Sequence, residues 1–515
     1  MIATSAAHPH TEKAGVLRGV LWIAAAVLAC LSVFLINGRP LFYYDTVGYI
    51  IQGNTALTHL GVPGESPLAE RAELVTEARM KGVPAAMPDT TEINADRTVD
   101  GSRSAVYALI AGVFAHLGAL EGLIALNVVA VLVAVWLPMR VAMRRLGLPM
   151  SLPKAVSLPI IVAGFGSLPF FVAYLMPDTF SPVMILVFAT LAVFARQMRP
   201  WEILLALALG SLAIMSHLSH LAIAVVMIPA VALVSAALQR RRWWIAPALT
   251  LLIVGIGFSE QSALRTAAKS MADSEVVIKP YITARLIEDG PGYAYLKGHC
   301  PNEAIPTCKL YEALSHSGDP WRLTATHIVF ETSQRLGSFR LMTPEDQRLV
   351  ADNQIVFFFR VFRDRPLSVI HAFIRNTLLQ ARWVSVEMTI PDEEIIWQNS
   401  EVTGLLTGDF QHGRITRDTS WLRVVTPAQE IFYGLCLLIT LGLVLAPRRV
   451  PGEIRALAVV VLFGILANAL VCGGISQPAT RYGARVIWLL PLVTTILVLF
   501  AWRSRQFAPQ PGRRP

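Results

Sequence analysis

Residues 104–117 read SAVYALIAGVFAHL, about 14 residues, nearly all apolar, directly after Arg103. A bilayer core needs about 17 to 25 consecutive apolar residues, so this stretch is short for a crossing and typical of a helix at the interface. Its reading decides the topology, because counting it as a span reverses every loop behind it. With the segment kept on the surface and the N-terminus inside, one side collects Arg140, Arg144, Arg145, Lys154, Arg196, Arg199, Arg240 to Arg242, Arg448, Arg449, Arg455, Arg503, Arg505, Arg513 and Arg514. The short opposite loops 174–178 and 216–220 carry no Lys or Arg. That asymmetry is the positive-inside pattern.

Of the 515 residues, 54% are hydrophobic and 15% charged, against about 45–50% and 25% in a soluble domain. An ordinary soluble enzyme is excluded. The excess of 44 Lys and Arg over 35 Asp and Glu follows the membrane pattern, so no nucleic-acid partner is expected. Apolar runs near 20–36, 121–139, 155–173, 179–195, 201–216, 221–238, 243–258, 427–446, 456–472 and 485–501 predict an all-α polytopic membrane protein of about ten transmembrane helices. Juxtamembrane helices are expected in the first outer loop, 38–120, and a mainly helical extracytoplasmic insertion over 259–426. The remaining divisions are a cytoplasmic tail 1–19, a seven-span core 20–258, three spans in 427–502 and a basic cytoplasmic tail 503–515. The first run continues into Asn37-Gly38-Arg39-Pro40 without a small-residue cleavage site and reads as a retained anchor. In the insertion, Val361, Val369, Phe373, Leu378 and Trp383 are spaced as one apolar stripe among Arg363, Arg365, Arg375 and Arg382, as in a helical cap resting on the membrane.

Cys30, Cys436 and Cys472 fall in or at the ends of spans and read as buried residues. Cys300 and Cys308 bracket a short polar loop in the insertion, where oxidising conditions favour a structural disulfide. No tandem repeat and no Walker or dinucleotide loop occurs, so no nucleotide cofactor is expected.

The chemistry-bearing residues cluster in the outer loops. LFYYDTVGYI (41–50) sets Asp45 among Phe42, Tyr43, Tyr44 and Tyr49, either as a helix cap within an aromatic belt or as a functional carboxylate. YLMPDTFSP (174–182) carries Asp178, a second carboxylate that could equally cap a helix. If the two converge, they suit a divalent ion or an acceptor. SHLSH (216–220) gives His217 and His220, able to hold a phosphate oxygen, move a proton or help ligate a metal. GGISQPATRYGARVIWLLP (473–491) sets Arg481, Tyr482 and Arg485 at the entrance to the last span, where a guanidinium can hold two phosphate oxygens. ARLIEDGPGYAYLKGHC (284–300) reads as ordinary turn chemistry, with Arg285 as a candidate substrate contact. Asp392-Glu393-Glu394 reads as solvated surface.

An acidic residue just after the first span, a long first outer loop and then GSRSAVYALIAGVF (101–114) together resemble the C-type glycosyltransferase superfamily, polytopic enzymes that use lipid-phosphate sugars, and within it the bacterial protein-mannosyl and aminoarabinose transferase type. Arg103-Ser104 through Tyr107 match the start of its juxtamembrane helix, and Met143-Arg144-Arg145-Leu146-Gly147 the basic turn that ends its next span. Asp178 matches an acidic residue atop the fourth span, and Arg481-Tyr482, followed by Pro491, a C-terminal Arg-Tyr pair. The resemblance covers the first seven spans best. It implies transfer of a sugar from a polyprenyl-phosphate donor to a lipid, glycan or protein acceptor, by single displacement with inversion, on the extracytoplasmic face of a bacterial inner membrane with both termini cytoplasmic. Membrane lipid is a further expected partner. In that scheme Asp45 is the catalytic base and Arg481 the leading donor-phosphate contact. Tyr482, Arg485, Arg103, His217, His220 and Arg285 are further binding residues, and Asp178 is a supporting carboxylate or metal ligand. A transporter or flippase of lipid-linked envelope intermediates and a non-catalytic assembly protein are the competing readings. The chain lacks the related halves and deep charges that a transporter favours.

Overall fold

The computed structural model describes residues 9–62, 98–101, 103–272, 275–331, 338–393, 395–396 and 412–506. Most of the first outer loop, Glu394, Arg513, Arg514 and the side chain of Arg505 lie outside the described residues. Among the described residues, eight helices are long and apolar enough to cross a membrane: Gly15–Asn37, Gly122–Leu146, Pro177–Phe194, Leu218–Arg242, Ile245–Ser270, Leu422–Val444, Gly452–Ile475 and Thr480–Arg503. The shorter apolar helices Leu152–Ala163 and Pro200–Met215 fall between them. The chain is an all-α polytopic membrane protein.

The stretch expected as one span over 155–173 is two helices, Leu152–Ala163 and Leu168–Val172. Gly164 and Gly166 supply the break, and the Ser167 N–H, lacking a normal helical acceptor, donates to the Tyr433 hydroxyl at 2.8 Å. A Cβ at Gly166 would stand 2.8 Å from that same hydroxyl oxygen. The Ser167 hydroxyl donates to the Ala484 carbonyl at 2.6 Å, so the break fastens this helix to two C-terminal elements. The helix expected to end near 258 runs on to Ala272.

At the centre stands Phe180–Phe194, FSPVMILVFATLAVF, with all of its residues buried. A helix apolar on every face has no solvent or lipid side and must be surrounded. Its neighbours are Gly122–Leu146, Pro200–Met215, Leu218–Gln239, Ile245–Ala272 and Gly452–Ala469. The turn Pro177–Thr179 precedes it, so Asp178 is held at the head of a fully enclosed helix.

Around that head gather the segments between spans. Tyr44–His59 and Ala105–His116 form a pair whose backbones touch: a Cβ on Gly53 would stand 1.8 Å from the Ala108 carbonyl oxygen. Tyr49 meets Tyr107 edge-on at 5.0 Å, and Tyr107 meets Phe180 at 6.5 Å, which seats the pair on the central helix. Residues 104–117 therefore form a short packed helix beside the spans, as their length implies. Leu41 bridges Tyr174 and Arg103 bridges His217 through backbone hydrogen bonds. Thr98–Asp100 pairs in parallel with Glu275–Val277, joining the first loop to the start of the insertion.

The insertion builds its own core from Leu286, Leu296, Leu310, Ile328, Phe339, Phe357 and Val361. Cys300 and Cys308 are joined as a disulfide. The single stripe expected from Val361 to Trp383 is divided instead, because Pro366 ends one helix, Gln354–Asp364, and opens the next, Pro366–Arg382. The phase resets there. Val361 and Val369 turn inward, whereas Leu378 projects outward.

At the opposite end of the central helix, about 22 Å from Asp178 by helical rise, Glu202 is fully buried. It accepts from Arg144 at 2.7 and 2.8 Å, from Arg140 at 3.2 Å and from the Arg199 N–H at 2.8 Å. Arg140 also lies over Trp136 and Trp201. Glu202→Gln leaves two partly exposed guanidiniums without their counter-charge, and a loss of about 1–3 kcal/mol is expected. A clearly lowered melting temperature of the detergent-purified protein is the readout; an unchanged one marks the cluster as energetically idle.

Candidate active site

Asp178 is 2% exposed and shares one oxygen, Oδ1, between Arg481 Nε at 3.5 Å and Arg485 Nη1 at 3.4 Å. Its carboxylate makes no cap bond to the helix behind it, so the charge is used across the bundle. Both arginines lie on Thr480–Ile487, TRYGARVI, four residues apart on one helix face. Two buried guanidiniums against one carboxylate leave the cluster positive. Such a cluster persists only where other acceptors satisfy the cations.

Arg485 has those acceptors. Its Nε and Nη2 donate to Asn468 Oδ1 at 3.1 and 2.9 Å, and Nη2 also donates to Ser219 Oγ at 3.2 Å and to Cys472 Sγ at 3.1 Å. Asn468 turns its amide Nδ2 to the Tyr482 carbonyl at 2.7 Å, fixing the arginine helix through backbone as well as side chain. The Tyr482 ring lies against both guanidiniums. Arg481 is different. Its guanidinium lies over the Tyr43 ring at 4.6 Å, and its buried Nη1 makes no hydrogen bond. The Tyr174 hydroxyl, also buried, stands beside the same guanidinium.

His217 caps Leu218–Gln239 rather than sharing its face with His220. The Ser219 N–H donates to His217 Nδ1 at 3.1 Å, and the Ser219 hydroxyl approaches it at 2.9 Å. An amide can only donate, so Nδ1 is the acceptor and Nε2 carries the proton in the neutral ring. Ser219 thus links Arg485 to His217. His220 sits 5.5 Å from His217, with Nδ1 on the Ala213 carbonyl at 2.8 Å and a buried Nε2 that makes no bond.

Asp45 lies in the first turn of Tyr44–His59; the cap position belongs to Tyr43. It is a third exposed and pairs with Arg103 Nη2 at 3.1 Å. The approach is possible because residue 48 is glycine: a Cβ there would stand 2.5 Å from the Arg103 guanidinium carbon. Burial by itself raises the Asp45 carboxyl. Arg103, by charge and hydrogen bond, together with Arg481 and Lys279, outweighs burial and holds the group below its usual range. Asp45 is therefore ionised at neutral pH, in the electrostatic neighbourhood of Arg481, with the Tyr43 ring against that guanidinium.

The insertion closes on this cluster through Pro366–Arg382. The Gln380 side chain donates to the Ala479 carbonyl at 3.0 Å and accepts the Ala479 N–H at 2.8 Å, two residues before Arg481. Gly473, Gly474 and Gly483 give the helix room, since a Cβ on Gly483 would stand 1.9 Å from the Trp383 carbonyl oxygen. Arg285 stays within the insertion. It is engaged by Glu288 at 3.1 Å and by Asp289 at 2.5 and 2.9 Å, while Asp289 also accepts from Arg375 and Asn376.

Asp45, Arg103, Asp178, His217, His220, Arg481, Tyr482 and Arg485 are thus brought to one end of the bundle, and Arg285 is not. Asn468, Ser219 and Gln380 were missed by sequence reasoning. Neutral polar residues within or beside apolar runs carry no periodic signal, and only an intramembrane Asn at 468 offered a hint. Among the described residues, no group of three or more His, Cys, Asp or Glu could hold a metal ion. The donors do not fit a divalent cation: Asp178 faces two guanidiniums and Asp45 a third.

Asp178→Asn is expected to destabilise the fold by about 3–5 kcal/mol, and Asn468→Ala by about 1.5–3 kcal/mol. Asp45→Asn, at the exposed edge, changes stability far less. Melting temperatures of the three variants check this order, and a larger loss at Asp45 contradicts it.

No family model matches the chain, and no curated protein matches it. Among solved structures, it is similar to ArnT from Cupriavidus metallidurans bound to undecaprenyl phosphate, with 12% identity and a TM-score of 0.31 over 92% of this chain and 77% of that one. It is likewise similar to the apo state of the same protein, with 13% identity and a TM-score of 0.31 over 93% and 78%.

Proposed function

We propose that the chain is a membrane glycosyltransferase that moves a sugar from a polyprenyl-phosphate donor to an acceptor at the extracytoplasmic end of the bundle, by single displacement with inversion. The observation that carries this reading is an ionised, solvent-reaching carboxylate, Asp45, beside a buried cluster in which Arg481 keeps an unbonded N–H. The basic clusters near Arg144 and Arg240 to Arg242 belong to the other end and support the orientation.

In this mechanism Asp45 takes the proton of the acceptor hydroxyl as its oxygen bonds to the anomeric carbon. The bond from that carbon to the phosphate oxygen breaks, and its electron pair stays on the phosphate. Arg103, Arg481 and Arg485 outnumber Asp45 and Asp178 by one, so the cluster favours the charge that develops on the leaving group. Arg481 Nη1 supplies the direct contact, and the neutral His217, whose Nδ1 is taken by Ser219, offers its Nε2–H as a second donor. Arg485, bonded on all sides, positions Asp178, Ser219 and the arginine helix. The leaving phosphate needs no general acid, in contrast to the paired carboxylates of hydrolases.

Transfer of radiolabelled sugar from a panel of polyprenyl-phosphate donors by the purified protein is the test. Asp45→Asn is expected to slow transfer at least about a hundredfold, with folding retained; equal transfer by the variant removes the base. Arg481→Gln is expected to lower kcat/KM about tenfold to a hundredfold.

The same assay read against pH tests the Arg103 pair. A carboxyl held low stays ionised above its folded value and is lost as pH falls through it, so the acid limb of kcat/KM lies below the ordinary carboxyl range, about 4. Arg103→Gln removes the largest lowering influence and moves that limb upward. An unmoved limb separates Asp45 from the titration.

A further inference from the structure

The two insertion helices Gln354–Asp364 and Pro366–Arg382 present large apolar side chains that nothing among the described residues covers. Leu367 is 81% exposed, Ile370 43%, Ile374 52% and Leu378 61%, and Ile355, Val356 and Phe359 continue the surface on the preceding helix. The positions 367, 370, 374 and 378 form one stripe at helical spacing. The opposite face of the same helix, Val369, Ala372, Asn376 and Gln380, is buried against the core of the insertion and the Leu470–Ile475 segment. That segment ends one span, and Gln380 holds Ala479 just ahead of the next. The stripe is therefore fixed at the level where two spans leave the bilayer.

Its charge is one-sided. Residues 354–382 contain five arginines, at 360, 363, 365, 375 and 382, against the single acid Asp364. Beside Leu367, a cavity of about 420 Å³ opens between Pro291–His299 and Pro366–Arg382, lined by Arg365, Ser368, His371 and Arg375. The carboxylate of Asp289 at its floor is already engaged by Arg285, Arg375 and Asn376. Apolar side chains next to arginines and a polar cavity match the two parts of a lipid: acyl chains along the stripe and a phosphodiester at the basic edge.

We propose that the hairpin 354–382 is seated in the outer leaflet of the membrane on anionic phospholipid, with its cavity taking the phosphodiester headgroup. The proposal needs only the membrane setting of the spans and their positive-inside orientation, and stands whether or not the chain transfers sugar. Full-length protein in vesicles of phosphatidylcholine, with and without phosphatidylglycerol, carries a nitroxide at Leu367→Cys, Ile374→Cys or Leu378→Cys. The free cysteines among the described residues are buried, and unsubstituted protein provides the labelling blank. Relaxation by oxygen is expected to exceed relaxation by a water-soluble nickel chelate at all three positions, and the excess is expected to grow when phosphatidylglycerol is present. Arg363→Gln with Arg365→Gln, both at exposed positions, abolishes that growth and leaves the spans in place. Dominance of the nickel chelate overturns the proposal by placing the stripe in water. Spin–spin broadening overturns it in favour of a second copy of the chain. Equal accessibility in the two kinds of vesicle overturns the anionic headgroup.

Discussion

One buried carboxylate shared by two buried guanidiniums organises this molecule. Asp178 heads the longest helix among the described residues whose every residue is buried, and Arg481 and Arg485 reach it from far along the sequence. Moving such charges from water costs several kcal/mol each. The cost is offset by a ring of neutral polar groups: Asn468 and Ser219 on Arg485, and the faces of Tyr43 and Tyr482 on Arg481. One guanidinium is held by many acceptors and the other is not, so the same interaction that stabilises the bundle leaves Arg481 Nη1 without a hydrogen-bond partner.

The Asp45 half is built differently. It rests on the helices Tyr44–His59 and Ala105–His116, which are too short to cross a membrane and pack backbone to backbone through Gly53 and Gly112. Only the absence of a side chain at residue 48 lets Arg103 reach the carboxylate. The fixed, dry, cationic half and the wetter, ionised half meet at the Tyr43 ring.

Much of this was legible in the sequence, for identifiable reasons. Spans announce themselves by length and apolarity, and Asp45, Asp178 and Arg481 stood out because a charge at the end of an apolar run is costly. The break at Gly164–Ser167 was hidden because hydropathy averages across glycines and does not see Tyr433 receiving the Ser167 N–H. The stripe in the insertion was misread because Pro366 resets the helical phase without changing composition. Asn468, Ser219 and Gln380 were invisible because their importance lies in partners 17, 266 and 99 residues away.

That long reach has a consequence for biogenesis. Asp178 is synthesised 307 residues ahead of its partner Arg485. Until Thr480–Ile487 is in place, Asp178 has neither of the guanidiniums that hold it in the folded bundle. The head of the central helix is thus fastened late, by a helix from distant sequence, and a chain without Thr480–Ile487 lacks that fastening.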